Sequence, residues 1–223
     1  MKRVGLECGG KSPQIFMADL PDMEAAVDAA FNGVFANMGE VCSAGSRLLV
    51  ERPIYDEFVE RFIAEGKHAY RPGDPLDPKT NMGPLVDRDS QQRVLGMIEA
   101  GRTEGATLHF GGSAPADLPL GAFVNPTLFG DVNNRMSIAQ NEIFGPVASV
   151  IPFDGASEAI QIANDTIYGL AAGIWTRDIN QAFRLVKDIE AGVVWVNSYE
   201  DGDMTQPFGG YKQSGQARDK CME

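Results

Sequence analysis

The feature that most constrains this chain is the steady succession of short apolar runs and amphipathic stretches of helical period along nearly its whole length. Residues 47–51 (RLLVE), 107–110 (TLHF), 124–129, 147–153 (VASVIPF), 169–176 and 193–197 read as strands. Residues 22–38, 54–70, 88–105, 157–165 and 179–190 read as helices, the first with Asp22 as its N-cap. Strands joined through helices need right-handed crossovers and form a mostly parallel sheet covered on both faces. The expected fold class is therefore α/β. Residues 73–85, with three prolines and two glycines, read as a surface loop because regular elements resume on both sides. Residues 131–146 read as a second loop, and Val4, Gly5 and Leu6 as a short strand before Glu7.

At 223 residues and 43% hydrophobic, the chain can build a core without disulfides or metal. Its 19 basic and 31 acidic side chains leave a net charge of −12, which argues against a nucleic-acid partner; the longest basic cluster is Lys2-Arg3. No window approaches the roughly 18 apolar residues of a membrane span, and the start lacks the pattern of a signal peptide, so no membrane partner and a cytoplasmic location are expected. Cys8, Cys42 and Cys221 are odd in number and form no C-x-x-C pair, which fits a reducing compartment and speaks against a zinc site. With only His68 and His109 present, a Ser-His-Asp arrangement or a multi-histidine metal cluster is not expected. The pairs Gly9-Gly10 and Gly209-Gly210 are read as tight turns and not as the phosphate cradles of nucleotide-binding α/β proteins.

Several positions are candidates for chemistry, each with a plainer reading beside it. Cys42, in GEVCSAGSR, lies in a turn of small residues whose backbone amides can meet an oxyanion, but composition alone favours reading it as a small buried hydrophobe. Glu7, in GLECGGKSP, is a strand-end carboxylate suited to general-base work or a solvated turn residue, while Cys8 beside it is expected to be structural. Glu142, in NEIFGPV, can accept two ribose hydroxyls while Phe144 limits the place of a flat cofactor ring; a helix cap or surface ion pair is the alternative. Phe208, in PFGGYKQSG, lines a substrate tunnel or plugs the core.

Taken in order, LECGGKSP, GEVCSAGSR, NEIFGPV, NDTIYGLAAGIWTRD and WVNSYEDGDMTQPFGGYKQSG resemble the C-terminal, catalytic half of the NAD(P)-dependent aldehyde dehydrogenase superfamily over almost the whole chain. The resemblance implies Cys42 as nucleophile, Glu7 as general base, Glu142 as the carboxylate holding the nicotinamide ribose, Phe144 as its aromatic neighbour and Phe208 as a tunnel residue. It implies NAD or NADP as cofactor, an aldehyde as substrate and a homo-oligomer as the assembled state. The segment YEDGDMTQPFGGYKQSG is similar to members acting on aminoaldehydes, gamma-glutamyl-gamma-aminobutyraldehyde dehydrogenase among them. Against that family, residues 1–9 are expected to be a remnant of the coenzyme-binding domain ending at Glu7, 10–213 the catalytic domain and 214–223 a truncated C-terminal segment. Weak or absent coenzyme binding and little dehydrogenase activity follow, with a non-catalytic oligomerising module or a cysteine-dependent esterase as alternatives. Two departures stand out. Glu40 occupies the family's usual Gln position, where a carboxylate near the sulfur opposes thiolate formation, and Ala217 replaces a customary Gly before Arg218 and Asp219.

Overall fold

The structure, a computed structural model, describes residues 2, 4–66 and 69–221. In chain order its strands are β1 (Leu6–Glu7), β2 (Pro13–Phe16), β3 (Arg47–Glu51), β4 (Thr107–Phe110), β5 (Thr127–Gly130), β6 (Val147–Phe153), β7 (Ala171–Trp175), β8 (Val193–Val196) and β9 (Gly215–Gln216). The helices are α1 (Met23–Phe35), α2 (Tyr55–Gly66), α3 (Arg88–Thr103), α4 (Ser137–Gln140), α5 (Gly155–Asn164) and α6 (Ile179–Asp188). Seven strands form one sheet in the order β4-β5-β6-β3-β2-β7-β8, parallel throughout except for β4 at one edge. This is the α/β architecture that the crossover pattern predicts. Among the described residues no helix is long and apolar enough to cross a membrane.

Alternation along the strands divides the core. Phe16, Leu48 and Val50 face α1 and α2, where Phe31, Phe35, Phe58 and Phe62 pack. Their neighbours Ile15 and Leu49 point to the opposite face, toward α3, α5 and α6. Strand β2, which pairs with both β3 and β7, is the strand of the main sheet that the periodicity does not reveal. It is four residues long and holds Pro13 and Gln14, a poor apolar signal. Proline is tolerated at a strand's first residue, and the buried Gln14 amide donates to Gly45 O at 3.1 Å.

Other boundaries move. The helix expected over 22–38 stops at Phe35, because Asn37, Met38 and Gly39 adopt left-handed φ values of 49°, 59° and 70°. That turn delivers the chain to Cys42. The helix expected to reach residue 70 ends at Gly66; residues 67 and 68, His68 included, lie outside the described residues. Strand β5 begins at Thr127, three residues after the expected start, and the 131–146 loop contains α4. Strand β9 was not foreseen; it pairs antiparallel with β1, apart from the main sheet.

Arg47 lies beneath the end of the sheet that carries the site. Its guanidinium is buried and donates to Lys11 O, Asn134 Oδ1, Ile162 O and Ala163 O, each at 2.9 Å. It thereby ties the segment entering β2 to the C-terminal carbonyls of α5.

Candidate active site

The turn carrying Cys42 is fixed on several sides. Ala44 N donates to Val41 O at 3.1 Å and Gly45 N to Gly33 O at 2.9 Å. The Ser43 hydroxyl donates to Glu200 Oε1 at 2.7 Å, and the Tyr199 hydroxyl donates to Ser43 O at 2.6 Å. Cys42 is half-buried and opens on a cavity of about 450 Å³ whose walls include Glu7, Cys42, Trp195, Asp203, Phe208 and Lys220. The fold thus brings together Cys42, Glu7 and Phe208 from segments far apart in the chain.

Burial, and then the nearby Glu7 carboxylate, push the Cys42 thiol up to about 12. The backbone N–H groups of Ser43 and Cys42 act in the opposite direction, favouring thiolate. Glu40 does not join this group: its side chain accepts from Val86 N at 3.1 Å, toward the loop before α3.

Glu142 and Phe144 are not walls of that cavity and connect to it through the segment Glu7–Gly10. Glu142 Oε1 accepts the Gly10 N–H at 3.1 Å, and a Cβ built on Gly9 falls 1.9 Å from Glu142 Oε2. Only a glycine leaves space for the carboxylate there. The Glu142 carboxyl is half-buried, and burial raises it above the usual carboxylate range while the Gly10 N–H and Lys11 pull it back. An acceptor-only group with free lone pairs in such a cradle suits a pair of vicinal hydroxyls, as on a coenzyme ribose. The Arg93 guanidinium donates to Ile143 O, and Phe144, at φ 51°, holds its ring in solvent.

The sequence GLECGGKS, residues 5–12, satisfies the G-x-x-x-x-G-K-[ST] spacing of a phosphate-binding loop, which the reading of Gly9-Gly10 as a plain turn passed over. The fold excludes that role. A strand, β2, follows Lys11 where a phosphate loop needs a helix, and Lys11 is 1% exposed. Burial and the Arg47 charge lower its ammonium to about 7.

Phe208 is no core plug. It lines the Cys42 cavity and a neighbouring one of about 210 Å³, with the Lys220 ammonium 5.1 Å over its ring. Cys8 is exposed, a correction to its expected structural role, because β1 pairs only with the two-residue β9 and both its residues lie open. Trp195, Tyr199, Glu200 and Asp203 were missed as site residues. The signal available was the acid-rich EDGD run directly after the strand over 193–197.

The model of the aldehyde dehydrogenase family matches residues 1–223. The NADP/NAD-dependent aldehyde dehydrogenase PuuC of Escherichia coli (strain K12) is 47% identical over 222 residues, which is 100% of this chain and 44% of the relative. A betaine aldehyde dehydrogenase of Mesorhizobium japonicum is 46% identical over 224 residues, 100% of this chain and 46% of the relative. Among solved structures, the aldehyde dehydrogenase KauB from Pseudomonas aeruginosa superimposes with a TM-score of 0.97 at 55% identity, covering 100% of this chain and 45% of that one. An indole-3-acetaldehyde dehydrogenase in complex with NAD+ gives 0.96 at 56% identity, with coverage of 100% and 45%. The chain therefore spans about half the length of the curated relatives it matches.

Proposed function

Since this chain belongs to the aldehyde dehydrogenase family, we propose that its site oxidises an aldehyde to a carboxylate, with Cys42 as nucleophile and Glu7 as general base. The observation that carries the reading is that Cys42 and Glu7, from distant segments, line the same open cavity, where the Glu7 carboxylate bears on the thiol. Glu7 takes the thiol proton and the sulfur adds to the carbonyl carbon. The Cys42 and Ser43 N–H groups stabilise the oxyanion of the resulting thiohemiacetal. A nicotinamide coenzyme, NAD or NADP, supplies the hydride acceptor when bound. Glu142 and Phe144 are the residues that would hold its ribose and flank its ring. Once the thiol proton has passed from Glu7 to solvent, Glu7 takes a proton from the water that cleaves the Cys42 thioester and returns it to the departing sulfur, releasing the carboxylate and restoring the thiol.

The substrate class we infer is an aldehyde bearing an amino group. Glu200, Asp201, Asp203 and Asp219 make the cavity acidic, and it seats one ammonium, that of Lys220, against Phe208. In the same reading, residues 10–213 form the thiol-bearing catalytic domain, with 1–9 belonging to a coenzyme domain and 214–223 to a C-terminal segment, and the assembled protein is a cytoplasmic homo-oligomer. Active-ester hydrolysis tests the core of the proposal: p-nitrophenyl acetate should give a burst with the wild-type chain and none with Cys42→Ala. A burst that survives in Cys42→Ala sinks it.

A further inference from the structure

We infer that Tyr199 and Glu200 are positioning residues for Cys42, acting through Ser43, an inference that rests on Cys42 being the reactive thiol. The two residues are consecutive, yet they grip Ser43 at different points. Tyr199 donates to its carbonyl oxygen at 2.6 Å, and Glu200 accepts from its hydroxyl at 2.7 Å. Ser43 itself is 6% exposed and has little room to turn.

The clamp is rigid for reasons visible around it. The Tyr199 ring is wedged between α1 and β7: a Cβ on Gly33 or on Gly173 falls 2.7 Å from the ring. The Trp195 ring stands 4.9 Å from it, centroid to centroid. Burial raises the Tyr199 hydroxyl above its ordinary pKa, so it stays a donor. Before it, Asn197 is locked to β7, its N–H donating to Ile174 O at 2.8 Å and its side chain exchanging bonds of 3.1 and 3.0 Å with Thr176. Glu200 sits at φ 59°, a left-handed conformation disfavoured for a residue with a side chain. Such outliers concentrate where surrounding structure fixes a functional group. Here the outlier aims the carboxylate at Ser43.

The consequence falls on the sulfur. The Ser43 and Cys42 N–H groups are the donors that favour the thiolate, against burial and Glu7. A Ser43 free to rotate would lose that alignment and leave Glu7 and burial unopposed. The charged and titratable groups facing this turn are Glu7, Tyr199, Glu200 and, across the cavity, Asp201, Asp203, Asp219 and Lys220.

The test is the pH–rate profile of Cys42 alkylation by iodoacetamide, followed by mass spectrometry of the Cys42 peptide because Cys8 and Cys221 are also exposed. This readout needs no aldehyde turnover, so it can fail separately from the dehydrogenase reading. Ser43→Ala, Glu200→Ala and Tyr199→Phe should each slow alkylation at pH 8 by about three- to tenfold, the scale of one hydrogen bond, and move the inflection upward. Ser43→Ala with Glu200→Ala should be no slower than either alone, because both remove the same link. Glu200→Gln, which keeps the acceptor and loses the charge, and Ser43→Thr should react at least as fast as wild type. A simple charge effect predicts the reverse for Glu200→Ala, since removing a nearby carboxylate eases thiolate formation. Wild-type or faster rates in the three single variants, or effects that multiply in the double variant, overturn the proposal. Should the alanine variants fail to fold by circular dichroism, Glu200→Gln and Ser43→Thr decide alone: slowed alkylation in either overturns it.

Discussion

Gly10 donates its backbone N–H to the Glu142 carboxylate at 3.1 Å, across 132 positions of sequence. This bond joins the segment that carries Glu7 to the loop that carries Phe144, so the groups proposed for base and coenzyme roles are held by one short connection. The geometry depends on Gly9, where any Cβ meets Glu142 Oε2.

Gly9→Ala is therefore expected to swing the carboxylate aside at little cost to the fold, because the displaced atoms end a flexible side chain. Stability should change by less than about 1 kcal/mol, the usual scale of a surface adjustment. The Gly10 amide should exchange its hydrogen faster, as seen by NMR; unchanged Gly10 exchange would show that Glu142 kept its place.

Arg47 should be costly to replace. Arg47→Met leaves the carbonyls of Lys11, Ile162 and Ala163 and the Asn134 amide oxygen without their donor, and a loss of about 3–5 kcal/mol is expected. Arg47→Lys should also destabilise, because one ammonium cannot span acceptors arranged for a planar fork. Urea midpoints measure both.

Lys11 should make stability depend on pH. Its ammonium titrates near 7 in the native state and at its ordinary 10.5 when unfolded, so between those values the unfolded chain binds more protons and stability rises with pH. From pH 7 to 8.5 the gain should be about 1.5 kcal/mol. Cys42 works in the opposite sense above its ordinary 9.0, so the rise belongs to Lys11 only below that pH. Lys11→Met should flatten the profile in denaturant titrations across this window.

Ala217 occupies a left-handed position at φ 75°. Replacing it with glycine, which adopts that conformation freely, should relieve about 1 kcal/mol of backbone strain. A rise of about 2 °C in Tm is the expected readout. Ala217 is exposed, so the change removes little buried apolar surface.

Much of the architecture is legible in the order of residues. Arg47–Glu51, Thr107–Phe110 and Val147–Phe153 are strands with the boundaries their apolar runs predict. Asp22 caps α1 through a bond from Ala25 N at 3.1 Å, as a side-chain acceptor at that position should. Cys42 and Glu7 were singled out by their small-residue turns, and their motifs led to the family. Strand β2 was hidden because a central strand can be built on Pro13 and a buried Gln14 once a neighbouring carbonyl accepts from the amide nitrogen. Glu40 was suspected of crowding the sulfur because the two are close in sequence, but its partner, Val86 N, is visible only in three dimensions.

The sequence by itself determined the α/β class, most strands and helices, the family and the identity of the candidate nucleophile, because periodicity and local motifs record which face is buried and which turn is tight. The tertiary structure alone decided that Glu7 faces the Cys42 sulfur, that Glu142 reaches Gly10, and that Tyr199 and Glu200 hold Ser43. Those relationships join residues from distant segments, set by how strands pair and how the loops beyond them return. Local spacing carries no information about such distances, whereas packing around β2, β3, β7 and β8 fixes them.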